Sequence, residues 1–172
     1  MCRLGQSAQD FKPLFMKITF LVVGKTTDKS LTTLIEEYQK RLKFYTTFEL
    51  VCIPDLKNTK NISAAEQKEK EGELILKQLT QTDTVVLCDE KGKQYRSIEF
   101  ADFIEKKLLT SCKNIVFIVG GAYGFSNAVY KRANSMFSMS KMTFSHQMIR
   151  LLFVEQLYRA MTILKGEPYH HE

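Results

Sequence analysis

Proline is scarce, at three in 172 residues, and no apolar run nears the roughly 18 residues that a membrane-crossing helix needs. The opening segment, Met1 to Phe15, also lacks the continuous apolar stretch of an export signal. A soluble, cytoplasmic chain without a membrane partner is expected. Cysteine occurs four times, at Cys2, Cys52, Cys88 and Cys112, with no Cys-x-x-Cys spacing and no histidine pairing. That excludes a zinc site built from neighbouring ligands, so no metal is expected and the thiols read as reduced and mostly buried. No G-x-G-x-x-G follows an early strand with an acid about 20 residues on, which counts against a nicotinamide-dinucleotide site. Most telling, the chain from Lys106 to Val154 contains no Asp or Glu.

What is present describes one domain. The chain is 44% hydrophobic, enough for one core and too short for two domains of ordinary size. Residues 1–15 show little periodicity and read as an N-terminal extension, disordered or ahead of a native start at Met16. From Ile18 to Gly24 the residues read as a buried strand ending in a turn, and Leu31 to Lys43 as a helix. Phe48 to Ile53 forms the next strand, stopped by Pro54, and Ala64 to Leu79 a helix opened by a capping box at Ser63 and Glu66. Further strands are expected at Thr84 to Cys88 and Ile115 to Val119, around a helix from Ser97 to Leu109. A short helix (Ser126 to Ala133), a short strand (Met136 to Met139) and a long helix (Met148 to Leu164) complete the chain. Wholly apolar strands alternating with helices predict an α/β fold with a parallel sheet covered on both faces. The last helix is apolar on nearly every side, which predicts burial partly in the core and partly in a homodimer interface of C2 symmetry.

Chemistry concentrates late. Gly120-Gly121-Ala122-Tyr123-Gly124 follows the fourth strand, where open parallel sheets place ligands; the same glycines also suit a tight turn. The acid-free stretch carries Lys106, Lys107, Lys113, Lys131, Arg132, Lys141, His146 and Arg150. With a net charge of +6, it predicts a phosphate-binding surface and a nucleic-acid partner. Glu155 and Arg159 stand four apart on the last helix and can pair.

Several motifs in fixed order carry a resemblance. They are Val119-Gly120-Gly121-x-x-Gly124, then Ser138-x-Ser140-Lys141-Met142-Thr143-Phe144-x-His146-Gln147-Met148-x-Arg150. Glu155-Gln156-x-Tyr158-Arg159-Ala160 and a terminal Gly166-Glu167-x-Tyr169-His170 follow. Together with the Met16-Lys17-Ile18 start and the Gly24-Lys25 turn, the chain resembles the RlmH family over 16–172. These SPOUT-class enzymes methylate N3 of a pseudouridine in helix 69 of bacterial 23S ribosomal RNA. The resemblance implies a single-domain α/β SPOUT fold over 16–172 with a C-terminal trefoil knot, acting as a homodimer on the assembled ribosome. It implies S-adenosylmethionine as cofactor, held by Cys88, Gly120, Met139, Ser140, Lys141, Met142, Thr143 and Phe144. His146, Glu155, Arg159, Tyr169 and His170 would form the acceptor side, the tail closing over the substrate. Lys131, Arg132 and Arg150 would contact RNA. One departure stands out, Ser145, where the family usually has proline.

Methyl transfer from a sulfonium is an in-line displacement, so positioning supplies much of the catalysis. The acceptor imide must lose a proton, and His170 is the first candidate to take it, because histidine titrates near neutrality. Other readings remain: a SPOUT methyltransferase for another RNA, a non-catalytic ribosome-assembly factor, or a dinucleotide-dependent oxidoreductase.

Overall fold

A computed structural model describes residues 14–57, 59–110 and 113–171. Five strands, β1 (Leu14–Val23), β2 (Thr46–Ile53), β3 (Thr84–Gln94), β4 (Asn114–Val119) and β5 (Ser135–Ser138), form one sheet in the order β2-β1-β4-β3-β5. Every pairing is parallel. The helices are α1 (Lys29–Leu42), α2 (Ala64–Lys77), α3 (Ser97–Leu109), α4 (Asn127–Arg132) and α5 (Met148–Leu164).

Alternation along the central strands sorts their side chains onto two faces. Ile18, Phe20 and Val22 of β1 join Ile115, Phe117 and Val119 of β4 under α1, α3 and α5. Leu21, Val23, Val116 and Ile118 point the other way, with Ile75 of α2 and Val129 of α4. The sheet is thus covered on both sides, which is why the central strand is wholly apolar from Ile115 to Val119. On the three-helix face α5 lies between α1 and α3, and Phe153 stacks on Phe20 with ring centroids 4.1 Å apart.

Local signals fix the boundaries. Asp28 accepts from the Leu31 backbone N–H at 2.9 Å and starts α1 two residues before the first apolar position of the helical pattern. Ser63 accepts from the Glu66 N–H at 3.1 Å, one half of the expected capping box, while the Glu66 carboxylate pairs with Lys70 at 2.8 Å. Two elements run longer than expected. Leu14 and Phe15 already belong to β1, while the rest of the expected extension lies outside the described residues. β3 continues through the charged Asp89–Gln94 segment because its end pairs with β5 again after a register shift between Cys88 and Lys93. Cys52 and Cys88 are free thiols, whereas Cys2 and Cys112 lie outside the described residues. Among the described residues no helix is long and apolar enough to cross a membrane.

Candidate active site

Cys88 to Glu90 of β3 and the loops that follow β4 and β5 enclose a cavity of about 410 Å³. Each wall follows from local chemistry. After β4, Gly120 is buried, and a Cβ there would stand 3.2 Å from the Gly124 carbonyl oxygen and from the Phe125 ring. Gly124, at φ +75°, closes the turn by donating its N–H to the Gly121 carbonyl at 3.1 Å. After β5, Ser138 donates to the Ser140 carbonyl at 2.8 Å, and Ser140 Oγ accepts from the Met142 N–H at 2.9 Å. The loop's far end is pinned by Gln147, whose Oε1 accepts from the backbone N–H groups of Thr27 at 2.9 Å and Asp28 at 3.1 Å. Ser145, at the family's proline position, accepts from the Met148 N–H at 3.2 Å and so helps to start α5.

Of the residues expected to hold a cofactor, Cys88, Gly120, Met139, Ser140, Met142, Thr143 and Phe144 line this cavity, and His146 joins them. Lys141 is exposed and does not line it. Burial, reinforced by the neighbouring Asp89 carboxylate, pushes the Cys88 thiol far up, so it sits there as a neutral wall.

Sequence reasoning missed Asp89 and Glu90, which also line the cavity. Asp89 Oδ1 accepts from the Lys91 N–H at 2.8 Å, and Oδ2 accepts from the Tyr130 hydroxyl at 2.6 Å. Burial first, and then that bond, push the Tyr130 phenol up to about 12. The available signal was two acids placed directly after an apolar strand. Among the described residues no lysine or arginine lines the cavity, despite the basic stretch that supplies much of its wall.

Glu155, Arg159 and Tyr169 form a second group. Arg159 Nη2 lies 2.6 Å and Nε 3.1 Å from Glu155 Oε1, and the Tyr169 hydroxyl donates to the same oxygen at 3.2 Å. Arg159 also stands over the Tyr169 ring, 4.7 Å from its centroid, and Tyr158 packs edge-on at 4.8 Å. The preceding Glu167 accepts from the Tyr45 hydroxyl, which fixes the tail against the start of β2. Burial, with bonds to Tyr38 and Glu155, pushes the Tyr169 phenol far up, so it acts as a hydrogen-bond donor. His170 follows, half-buried. The acceptor-side candidates therefore divide between the loop that carries His146 and the α5–tail network.

The expected RNA contacts need one correction. Lys131 is exposed. Arg132 is partly withdrawn, with Nη2 donating to the carbonyls of Thr80 at 2.6 Å and Asp83 at 2.9 Å. Arg150 is 1% exposed and is a structural residue: its Nη2 donates to the Val23 carbonyl at 2.7 Å and its Nη1 to Thr26 Oγ1 at 2.9 Å. The orphan carbonyl at the end of β1 needs a buried donor, and Arg150, in the first turn of α5, faces it.

The family model described as "Predicted SPOUT methyltransferase" matches residues 16–170. Proteins called ribosomal RNA large subunit methyltransferase H are similar throughout: those of Bacteroides thetaiotaomicron and Parabacteroides distasonis are each 60% identical over 157 residues, 91% of this chain and 100% of theirs. That of Flavobacterium johnsoniae is 55% identical over the same share of each chain. A crystal structure of a probable methyltransferase from Bordetella pertussis Tohama I shares the fold at a TM-score of 0.57 and 13% identity, covering 86% of this chain and 96% of that one. The chain belongs to the SPOUT methyltransferases, within the family of ribosomal RNA large subunit methyltransferase H.

Proposed function

We propose that this protein transfers a methyl group from S-adenosylmethionine to large-subunit ribosomal RNA, at N3 of a pseudouridine in helix 69 of the 23S RNA in the assembled ribosome. The observation that carries the reading is the cavity between Cys88–Glu90 of β3 and the loops after β4 and β5, lined by the acidic residues Asp89 and Glu90 and, among the described residues, by no lysine or arginine. S-adenosylmethionine carries a sulfonium, and when bound it supplies an activated methyl group. A cationic ligand gains from that wall, whereas the pyrophosphate of a dinucleotide would meet like charge. Apolar lining from Val119, Phe125, Met142, Phe144 and Ile149 suits an adenine ring, and the bare Gly120–Gly121 backbone permits close approach.

The chain's own residues bind, orient and exclude water. On the acceptor side, Arg159 and Tyr169 fix the Glu155 carboxylate, and His170 is the proposed proton acceptor, at the end of the tail those contacts hold. Half-buried Leu151, Tyr158, Ile163 and Leu164 on α5 support a homodimer, whose second subunit would add its exposed Lys131 to a shared RNA surface. A trefoil knot and a cytoplasmic location belong to the same reading.

The test is transfer of a radiolabelled methyl group from S-adenosylmethionine to ribosomes prepared with and without the helix 69 pseudouridines. Label in 23S RNA only when pseudouridine is present supports the reading. Label that ignores pseudouridine moves the acceptor elsewhere. Donor binding without transfer to any RNA leaves a non-catalytic RNA-binding protein.

A further inference from the structure

A second cavity, of about 300 Å³, adjoins the first and shares Ser138, Met139 and Phe144 with it. Its floor is aromatic: Phe100 and Phe137 are buried and stacked, with centroids 5.2 Å apart. Its remaining wall is made by half-buried Tyr95, Leu152 and Gln156. Leu152 and Gln156 lie one turn apart on the same face of α5.

The Gln156 amide has a fixed orientation. Its Nε2 donates to Glu155 Oε2 at 2.7 Å, as a carboxylate requires, and its Oε1 accepts from Ser97 Oγ at 3.1 Å. One N–H and one carbonyl lone pair remain uncommitted by these two bonds. That pair complements the N1–H and neighbouring carbonyl of a pseudouridine, an edge that leaves the N3 acceptor free. Gln156 also bonds directly to Glu155, the centre of the α5–tail network. The second cavity therefore touches both groups of site residues: it shares Ser138, Met139 and Phe144 with the first cavity, and its Gln156 bonds to Glu155, which holds Arg159 and Tyr169.

We infer that this aromatic cavity receives the target nucleobase of the RNA, unstacked from its neighbours, with the N1–H and adjacent carbonyl of the pseudouridine on Gln156 and N3 left open to the donor. The inference rests on the methyltransferase reading above and deepens it by assigning the acceptor subsite. A modifying enzyme must take its base out of the stack, and aromatic walls repay part of the lost stacking. The cavity has room for one base.

Two variants test it: Leu152→Trp, which fills the cavity, and Tyr95→Ala, which removes a stacking wall. Each is measured beside the wild type for S-adenosylmethionine affinity by calorimetry and for kcat/KM toward ribosomal RNA. The expected result is a loss of roughly tenfold or more in kcat/KM for RNA, the scale of one lost base–aromatic stack, with donor affinity kept within about twofold. Donor affinity falling in parallel in both variants overturns the assignment, because the cavity would then hold part of the donor. Undiminished transfer by both variants overturns it equally while leaving the methyltransferase reading intact. A wild type that labels no RNA defeats that reading and this subsite together.

Discussion

Glu155 Oε1 is tied to Tyr169 by a hydroxyl that donates to it at 3.2 Å, and the same oxygen takes two nitrogens of Arg159. Because Tyr169 spends its proton on the carboxylate, the Tyr38 hydroxyl, 3.2 Å away, must be the donor to Tyr169. The order of donation runs Tyr38 to Tyr169 to Glu155, and it docks the chain's end against α1 and α5. Deleting the chain from Tyr169 onward is expected to leave S-adenosylmethionine affinity within about twofold, since the cavity proposed for the donor is lined by none of these residues. Methyl transfer should fall by roughly a hundredfold, the scale of one lost acid–base group. Normal transfer by the truncated chain would remove the tail from the acceptor side. Tyr169→Phe keeps the ring contacts and should cost about 1 kcal/mol of stability, read from denaturant unfolding.

Gly121 lies on the wall of the cavity proposed for the donor, with the buried Glu71 against it. A Cβ on Gly121 would stand 2.3 Å from Glu71 Oε2, an oxygen that has no hydrogen-bond partner among the described residues. The other oxygen accepts from Gln67 Nε2 at 2.8 Å, so the carboxylate is anchored on one side. Gly121→Ala should therefore cost about 1–3 kcal/mol of stability and weaken donor binding. Combining it with Glu71→Ala opens the space, and the double variant should recover a good part of that loss. Strict additivity in a thermal-melt cycle would mean that close approach to Glu71 is not what the glycine provides.

Much of this was legible in the sequence, for physical reasons that differ by region. Ile115 to Val119 could only be a strand buried on both faces, and the Ser63 cap marked a helix start that the structure reproduces. The end of β3 was illegible, because Asp89 to Lys93 is charged and holds its strand conformation only through a shifted pairing with β5. Asp89 and Glu90 escaped notice for the same reason, since only the fold brings them to the cavity wall. Arg150 misled in the opposite direction. In a basic stretch its charge predicts the surface, yet its place in the first turn of α5 aims it at the Val23 carbonyl.

That assignment separates two cations by experiment. Arg150→Met leaves the Val23 carbonyl without its buried donor and should lower stability by about 2 kcal/mol, while the salt dependence of RNA binding stays unchanged. Lys131→Ala, at an exposed position, should leave the melting temperature alone. It should reduce the slope of log affinity against log salt by about 1 if Lys131 meets a phosphate. Swapped outcomes would put Arg150 back on the RNA surface.

The Tyr130–Asp89 bond links a residue of the cavity wall to pH. Burial and the hydrogen bond raise the Tyr130 phenol from 10.0 to about 12 in the folded chain. A raised folded-state value means that the bond's contribution is complete below pH 10 and is lost as pH climbs from 10 to about 12, where the unfolded chain ionises first. Tyr130→Phe has no phenol to ionise. It should be less stable than the wild type at neutral pH by about 1 kcal/mol. The gap between the two should then close and the order reverse through that alkaline window. Tyr45, Tyr169 and Cys88 are also pushed up, but they are common to both proteins and cancel in the difference. Paired urea titrations at steps of pH read the gap directly, and a gap that persists through pH 12 would show that Tyr130 ionises freely in the folded protein.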